Sequence, residues 1–306
     1  MSDKSDTLSA GSDHATLGIS IMFTMTKLLK RSTRVPVAAF VAALMLAACG
    51  SGGSSSSTNS DSPPTTTATP DGYWTGLIGD ATSANTFGGL ILKDQRFWLI
   101  SSTRITDSGS STIKGMFTGT MGSSYNTQAK KYEFSTTSST YFQNPRDPAL
   151  QQGATPGKSD LPLKGGFVAA SSMEGFAYSG TSALAAISLP KYDATLYTTV
   201  PSIATIQGEW TPNKGNTPAV FFSINNGSFA NAQVLQNCFA NGTLSVVSGA
   251  NAYNVTLTFP NGCALVNQAP GAAYSGIALT ESGSSRLTLA LVRTDQSQAL
   301  FLLFDR

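Results

Sequence analysis

The scarcest reactive groups in this 306-residue chain are three thiols, Cys49, Cys238 and Cys263, and a single imidazole, His14. Cys49 stands at an abrupt seam. The fourteen residues before it, 35–48 (VPVAAFVAALMLAA), carry no charge, and the eight after it (GSGGSSSS) are only glycine and serine. Fourteen apolar residues fall short of the roughly 20 that a helix needs to span a bilayer. With Lys27, Lys30, Arg31 and Arg34 ahead of them, they read as a secretory signal peptide covering residues 1–48.

The residues at its end, Leu46, Ala47, Ala48 and Cys49, resemble the lipobox of bacterial envelope lipoproteins of the proteobacterial type. The resemblance implies that the Cys49 sulfur takes a diacylglyceryl group, that the leader is cut, and that the freed amine is acylated, so Cys49 becomes the first mature residue and the lipidation site. Gly50, where an Asp would signal inner-membrane retention, implies the outer membrane. Two or more acyl chains hold a protein on its membrane, since each buried methylene contributes about 0.8 kcal/mol. Residues 1–24 are polar and remote from the apolar core, and Met25 opens a better leader; the first segment reads as an upstream start-site extension.

Losing the leader removes His14, and with it the base that Ser-His-Asp and Cys-His mechanisms require. Ser111 and Lys114 fit the Ser-x-x-Lys pattern of penicillin-binding enzymes, and residues 124–126 and 164–166 imitate the companion boxes. That family sets the serine at the start of a helix, whereas STIKGMFTGTM alternates as a strand. Glu133, Glu174, Glu209 and Glu281 are scattered on strand-like segments and read as solvated carboxylates. The expectation is a non-enzyme without metal or cofactor. Cys238 and Cys263, an even pair in an exported chain, are expected to form a disulfide; closing a loop of about 25 residues contributes roughly 3 kcal/mol.

Charge excludes another class. Five basic and three acidic residues precede Cys49, and the rest balances at fourteen against fourteen. A neutral mature chain has no electrostatic footprint for a phosphate backbone, so nucleic acid is not an expected partner.

Positioning is left to β-structure. Residues 49–70, rich in Ser, Thr, Pro and Gly, read as a flexible tether for the lipidated cysteine. Beyond them apolar residues recur every second position, as at Tyr253, Val255, Leu257 and Phe259, and no stretch holds a helical period for three turns. Asn226-Gly227, Asn241-Gly242 and Asn261-Gly262 carry the signature of tight hairpin turns. GYWTG at 72–76 and GEWT at 208–211 each open a run of strands, separated by a connector with one helical turn near Pro201. The reading is all-β: two tandem antiparallel up-and-down domains, 71–200 and 201–306, each of about eight short strands closed as a small barrel or sandwich.

Trp74 and Trp210, each two residues after a glycine on a first strand, resemble the opening motif of the lipocalins and are expected to close the barrel floors. Thr294 and Asp295 are similar to the Thr-Asp turn of that family. In architecture the chain also resembles two-domain β lipoproteins, including surface lipoproteins that capture host proteins. Residues 143–162 form an unusually long loop whose Arg146, Asp147, Lys158 and Asp160 make a possible binding surface. The expected function is a non-catalytic, outer-membrane-anchored binding, adhesion or envelope-structural module facing the periplasm or cell surface. Its expected partners are the membrane, through the anchor, and a protein or another envelope component. The alternative is a lipocalin-like carrier of a small hydrophobic ligand.

Overall fold

The computed structural model describes residues 68–79, 85–104, 111–144, 157–212, 221–235, 238–260, 272–280 and 285–306. Period-two patterning produces strands throughout. In chain order they are β1 (Gly72–Gly79), β2 (Asn85–Ile91), β3 (Arg96–Arg104), β4 (Ser111–Asn126), β5 (Lys131–Gln143), β6 (Lys158–Asp160), β7 (Leu163–Val168), β8 (Ser172–Ser179) and β9 (Ser182–Tyr192). Two short helices follow, α1 (Ala194–Thr198) and α2 (Ile203–Ile206). Then come β10 (Gly208–Pro212), β11 (Phe221–Asn225), β12 (Ser228–Leu235), β13 (Cys238–Val246), β14 (Ala252–Thr258), β15 (Ala273–Thr280), β16 (Arg286–Arg293) and β17 (Ala299–Asp305).

Both halves close. In the first, an antiparallel meander returns to its start when β9 pairs with β1, while β4 pairs with β5 to complete the circuit; β6 is a short addition to the end of β5. In the second, β10 to β17 form a barrel shut by Thr211↔Asp305 and Pro212↔Phe304. Eight strands leave an interior that side chains can fill. Trp74, Phe97, Phe117, Phe134 and Phe167 fill the first, and Trp210, Phe222, Tyr253, Tyr274 and Phe304 the second.

A third apolar cluster lies between the barrels, where Leu90, Ile100, Met116 and Phe142 meet Ile277, Leu279 and Phe301. Tyr197 of α1 belongs to it and ties both barrels: its hydroxyl donates to Asp71 at 2.9 Å, and its carbonyl accepts from the Asn251 amide at 3.0 Å. Burial, then the bond to the Asp71 carboxylate, raises the Tyr197 pKa above its ordinary value. The connector holds two helical pieces rather than one, because Asp193 and Ser202 each cap one, accepting from Leu196 N at 2.9 Å and Ala204 N at 3.2 Å.

Two local expectations change. Asn226-Gly227 does make a tight turn, with φ of 48° and 78°. Asn241-Gly242 does not; both residues sit within β13, paired with Thr258 and Leu257 of β14. The segment 143–162 is not loop to its end, since Lys158–Asp160 pairs with Thr140–Phe142 as β6. Asn261-Gly262 lies outside the described residues.

Candidate functional site

The two Gly-x-Trp segments are built alike. Trp74 Nε1 donates to Pro70 O at 2.8 Å and Trp210 Nε1 to Ile206 O at 2.9 Å, both carbonyls four residues upstream, so each indole is fully buried with its one donor satisfied. The glycine makes room for a planar group against the indole. In the first barrel that group is Tyr192, whose ring lies 5.2 Å from Trp74 edge to face and occupies the space a Gly72 side chain would need. In the second it is the Arg306 guanidinium, 5.0 Å over Trp210 and bonded to Thr205 O at 3.0 Å. Gly208 there adopts φ 110°, which L side chains rarely adopt, and a Cβ would lie 3.0 Å from Arg306 Nη2. Thr294 and Asp295 turn the chain between β16 and β17, where Ser297 Oγ and N donate to Asp295 at 2.6 and 3.0 Å and hold its carboxyl below its ordinary pKa.

Both interiors are thus packed, and the notable recess lies between the barrels. It is a cleft of about 480 Å³, within the roughly 300–1,000 Å³ range of small-molecule sites. Strand register explains it, rung by rung. At one level the facing outer rows are apolar: Ile100, Met116 and Phe142 across β3, β4 and β5, opposite Ala252 and Leu279 across β14 and β15. One rung along, the first row becomes Trp98, Thr118 and Thr140 and the second Asn254 and Ile277. At the next, Arg96, Thr120 and Ser138 stand opposite Thr256 and Ser275. The apolar level seals the interface; the hydroxyl levels line the cleft.

The lining mixes hydroxyl and amide side chains with apolar surface and carries no net charge. Arg96, 5.5 Å over the Trp98 ring, pairs with Asp94 at 2.8 Å, which cancels the cation at the rim. Thr120 Oγ1 bonds Thr137 Oγ1 at 2.7 Å, Thr140 Oγ1 donates to Asp160 Oδ1 at 2.9 Å, and Thr256 Oγ1 bonds Thr243 Oγ1 at 2.8 Å. Thr120 Oγ1 also bonds Ser138 Oγ at 3.2 Å. A hydroxyl offers one donor and two acceptors, so one or two such bonds leave each side chain with capacity for a ligand. Ser139, also in the cleft wall, is buried and its Oγ has no hydrogen-bond partner.

No protein-family model, no curated protein and no solved structure matches this chain. The geometry therefore carries the functional argument by itself. Of the residues singled out from sequence, Cys49, Arg146, Asp147, Cys263 and Glu281 lie outside the described residues, and of Cys238 only the backbone, at the head of β13, is described. Lys158 and Asp160 come together on β6, Asp160 through its bond to Thr140 at the cleft, and Lys158 at 6.0 Å over the Phe142 ring. Ser111 and Lys114 lie on β4, so the Ser-x-x-Lys match has no helix beneath it. Glu133 accepts from Asn126 Nδ2 at 3.0 Å, and Glu174 and Glu209 are exposed on β8 and β10.

One buried group gives a pH signature. Tyr274, inside the second barrel beside Phe259, is 1% exposed, its hydroxyl has no hydrogen-bond partner, and burial pushes its pKa up to about 12. A folded pKa above the unfolded value near 10 gives a contribution complete below pH 10 and lost as pH rises through about 12. Tyr274→Phe is expected to flatten the alkaline limb of stability over that window. At pH 7 it should leave stability unchanged or about 1 kcal/mol higher, as denaturant titrations across pH will read.

Proposed function

We propose that this protein is a non-catalytic binding module of the bacterial envelope, anchored to the outer membrane through an acylated Cys49, and that it engages a partner or envelope component in the cleft between its barrels. The cleft is the observation that carries the reading: a recess of about 480 Å³ at the junction of two packed barrels, lined by hydroxyls from both. Sites of this volume occur preferentially where domains meet. Among the described residues no group of His, Cys, Asp and Glu is placed to hold a metal. Within the proposal Cys238 and Cys263 form a disulfide that staples the second barrel. One intact-mass measurement on the mature protein checks both covalent features: acyl groups on a chain beginning at Cys49, and the loss of two hydrogens from the cysteine pair.

A bulky side chain at Ser275, which is exposed on the cleft wall, tests the site. In the unacylated chain beginning at Gly50, which has no lipid to hold it on the membrane, Ser275→Trp is expected to abolish cosedimentation with isolated cell-envelope fractions while leaving the melting temperature unchanged. Equal cosedimentation of both forms would place binding elsewhere, and none by either would end the binding-module reading.

The lipocalin-like carrier draws on a separate observation, the shared Gly-x-Trp architecture of the two closed barrels. Aromatic side chains occupy both interiors, so a carried ligand would have to use the cleft, whose hydroxyl lining suits a polar molecule better than a hydrophobic one.

A further inference from the structure

Taking the cleft as the binding site, we infer that its ligand is a neutral oligosaccharide. Three features set the chemistry. The hydroxyl and amide side chains of Thr118, Thr120, Ser138, Asn254, Thr256 and Ser275 come from two facing walls. Each can donate and accept, which matches a ligand whose own groups are hydroxyls with the same dual capacity on both faces. A carboxylate or phosphate ligand needs a surplus of donors with fixed positive charge. Here the one cation of the lining, Arg96, is already paired with Asp94 at 2.8 Å.

Hydrogen-bonding capacity alone would suit any polar solute, but the lining also includes apolar surface. Trp98 and Val292 lie on the side where the cleft meets the apolar interface, and Gly276 leaves backbone surface open on the second wall. A pyranose presents that combination, with hydroxyls around its rim and C–H groups on its faces. Trp98 is 6% exposed, covered by the Arg96 guanidinium at 5.5 Å and by the interface cluster, so the strip of ring that reaches the cleft is fixed before a ligand arrives.

Apart from Gln296 in the β16–β17 turn, the cleft is bounded by strands of two closed barrels. Hydroxyl positions are therefore set by strand register, and a sugar meets a preformed array.

Calorimetric titration of the full chain with three tetrasaccharides separates the outcomes. Tetra-N-acetylchitotetraose represents acetamido sugars of cell-wall type, maltotetraose a plain glucan, and tetragalacturonate an anionic chain of equal length. Binding of at least one neutral probe is expected, with no binding of tetragalacturonate. Thr118→Val and Thr256→Val, which keep side-chain volume, should each weaken the neutral probe about tenfold, and Ser275→Trp should abolish it; melting temperatures confirm that each variant is folded. Preference for the acetamido probe assigns a cell-wall or surface glycan, and preference for the glucan a nutrient source. Absence of binding by both neutral probes at 10 mM, equal binding by wild type and variants, or preference for tetragalacturonate would overturn the inference. If envelope cosedimentation still depends on Ser275 while no neutral sugar binds, the oligosaccharide assignment fails and the binding-module reading stands.

Discussion

Replacing Trp210 by alanine is expected to destabilise the second barrel by about 3–5 kcal/mol, a large share of the roughly 5–15 kcal/mol that holds a domain of ordinary stability together. The loss has three sources. The indole is almost wholly buried among Phe222, Phe304 and their neighbours, and its removal leaves a void at the barrel floor. The Ile206 carbonyl loses the donor that satisfied it at 2.9 Å. Arg306 loses the ring beneath its guanidinium. Trp210→Phe keeps most of the volume but not the N–H, and should cost about 1–2 kcal/mol. Chemical denaturation followed by far-ultraviolet circular dichroism reads the result, while the fluorescence of Trp74 and Trp98 reports the first barrel and its interface separately. A single unshifted transition in Trp210→Ala would show that the indole does not hold the floor.

Gly89→Ala should be nearly as damaging, although it adds one methyl. A Cβ at Gly89 would fall 1.9 Å from the Trp98 carbonyl oxygen and 2.8 Å from Leu99 Cα on the paired strand. Both obstacles are backbone, so β2 and β3 would have to part locally, at a cost of about 3 kcal/mol. The same crowding recurs at Gly119, Gly165 and Gly276, whose Cβ positions lie 1.9 to 2.1 Å from a neighbouring carbonyl. Gly122 supplies the contrast: a Cβ there would come no closer than 3.9 Å to the paired strand, at Ser135 O, so Gly122→Ala should be neutral or about 0.4–1 kcal/mol stabilising. Equal melting temperatures for the two variants would show that the wall yields more easily than its geometry implies.

The fold was legible where pattern and turn chemistry agree. β14 reads directly from Tyr253, Val255 and Leu257 pointing inward between Asn254 and Thr256, and the β11–β12 hairpin from Asn226-Gly227. It was obscure where another force prevails. Asn241-Gly242 carries turn residues, but the six-residue pairing of β13 against β14 includes them and keeps them extended. β9 hides because Ala183, Ala185 and Ala186 fit either face and Leu184 is 59% exposed. The cleft could not be read at all. Thr118 and Thr256 are ordinary outward threonines in their own strands, and only the two sheet registers, with the apolar rung beside them, set them across one gap.

The way each barrel is closed governs the order in which they can be finished. Every pairing but the last joins nearby strands, and the final seam joins the first strand to the last: β1 to β9, and β10 to β17 through Phe304 and Asp305. As the chain emerges amino end first, the leading barrel can seal once Tyr192 is free, while its successor stays an open sheet with two bare edges until residue 305 is available. The trailing half therefore passes through the longer exposure to edge-to-edge misassembly, and a truncation before Phe304 would spare the leading barrel while leaving the trailing one unzipped.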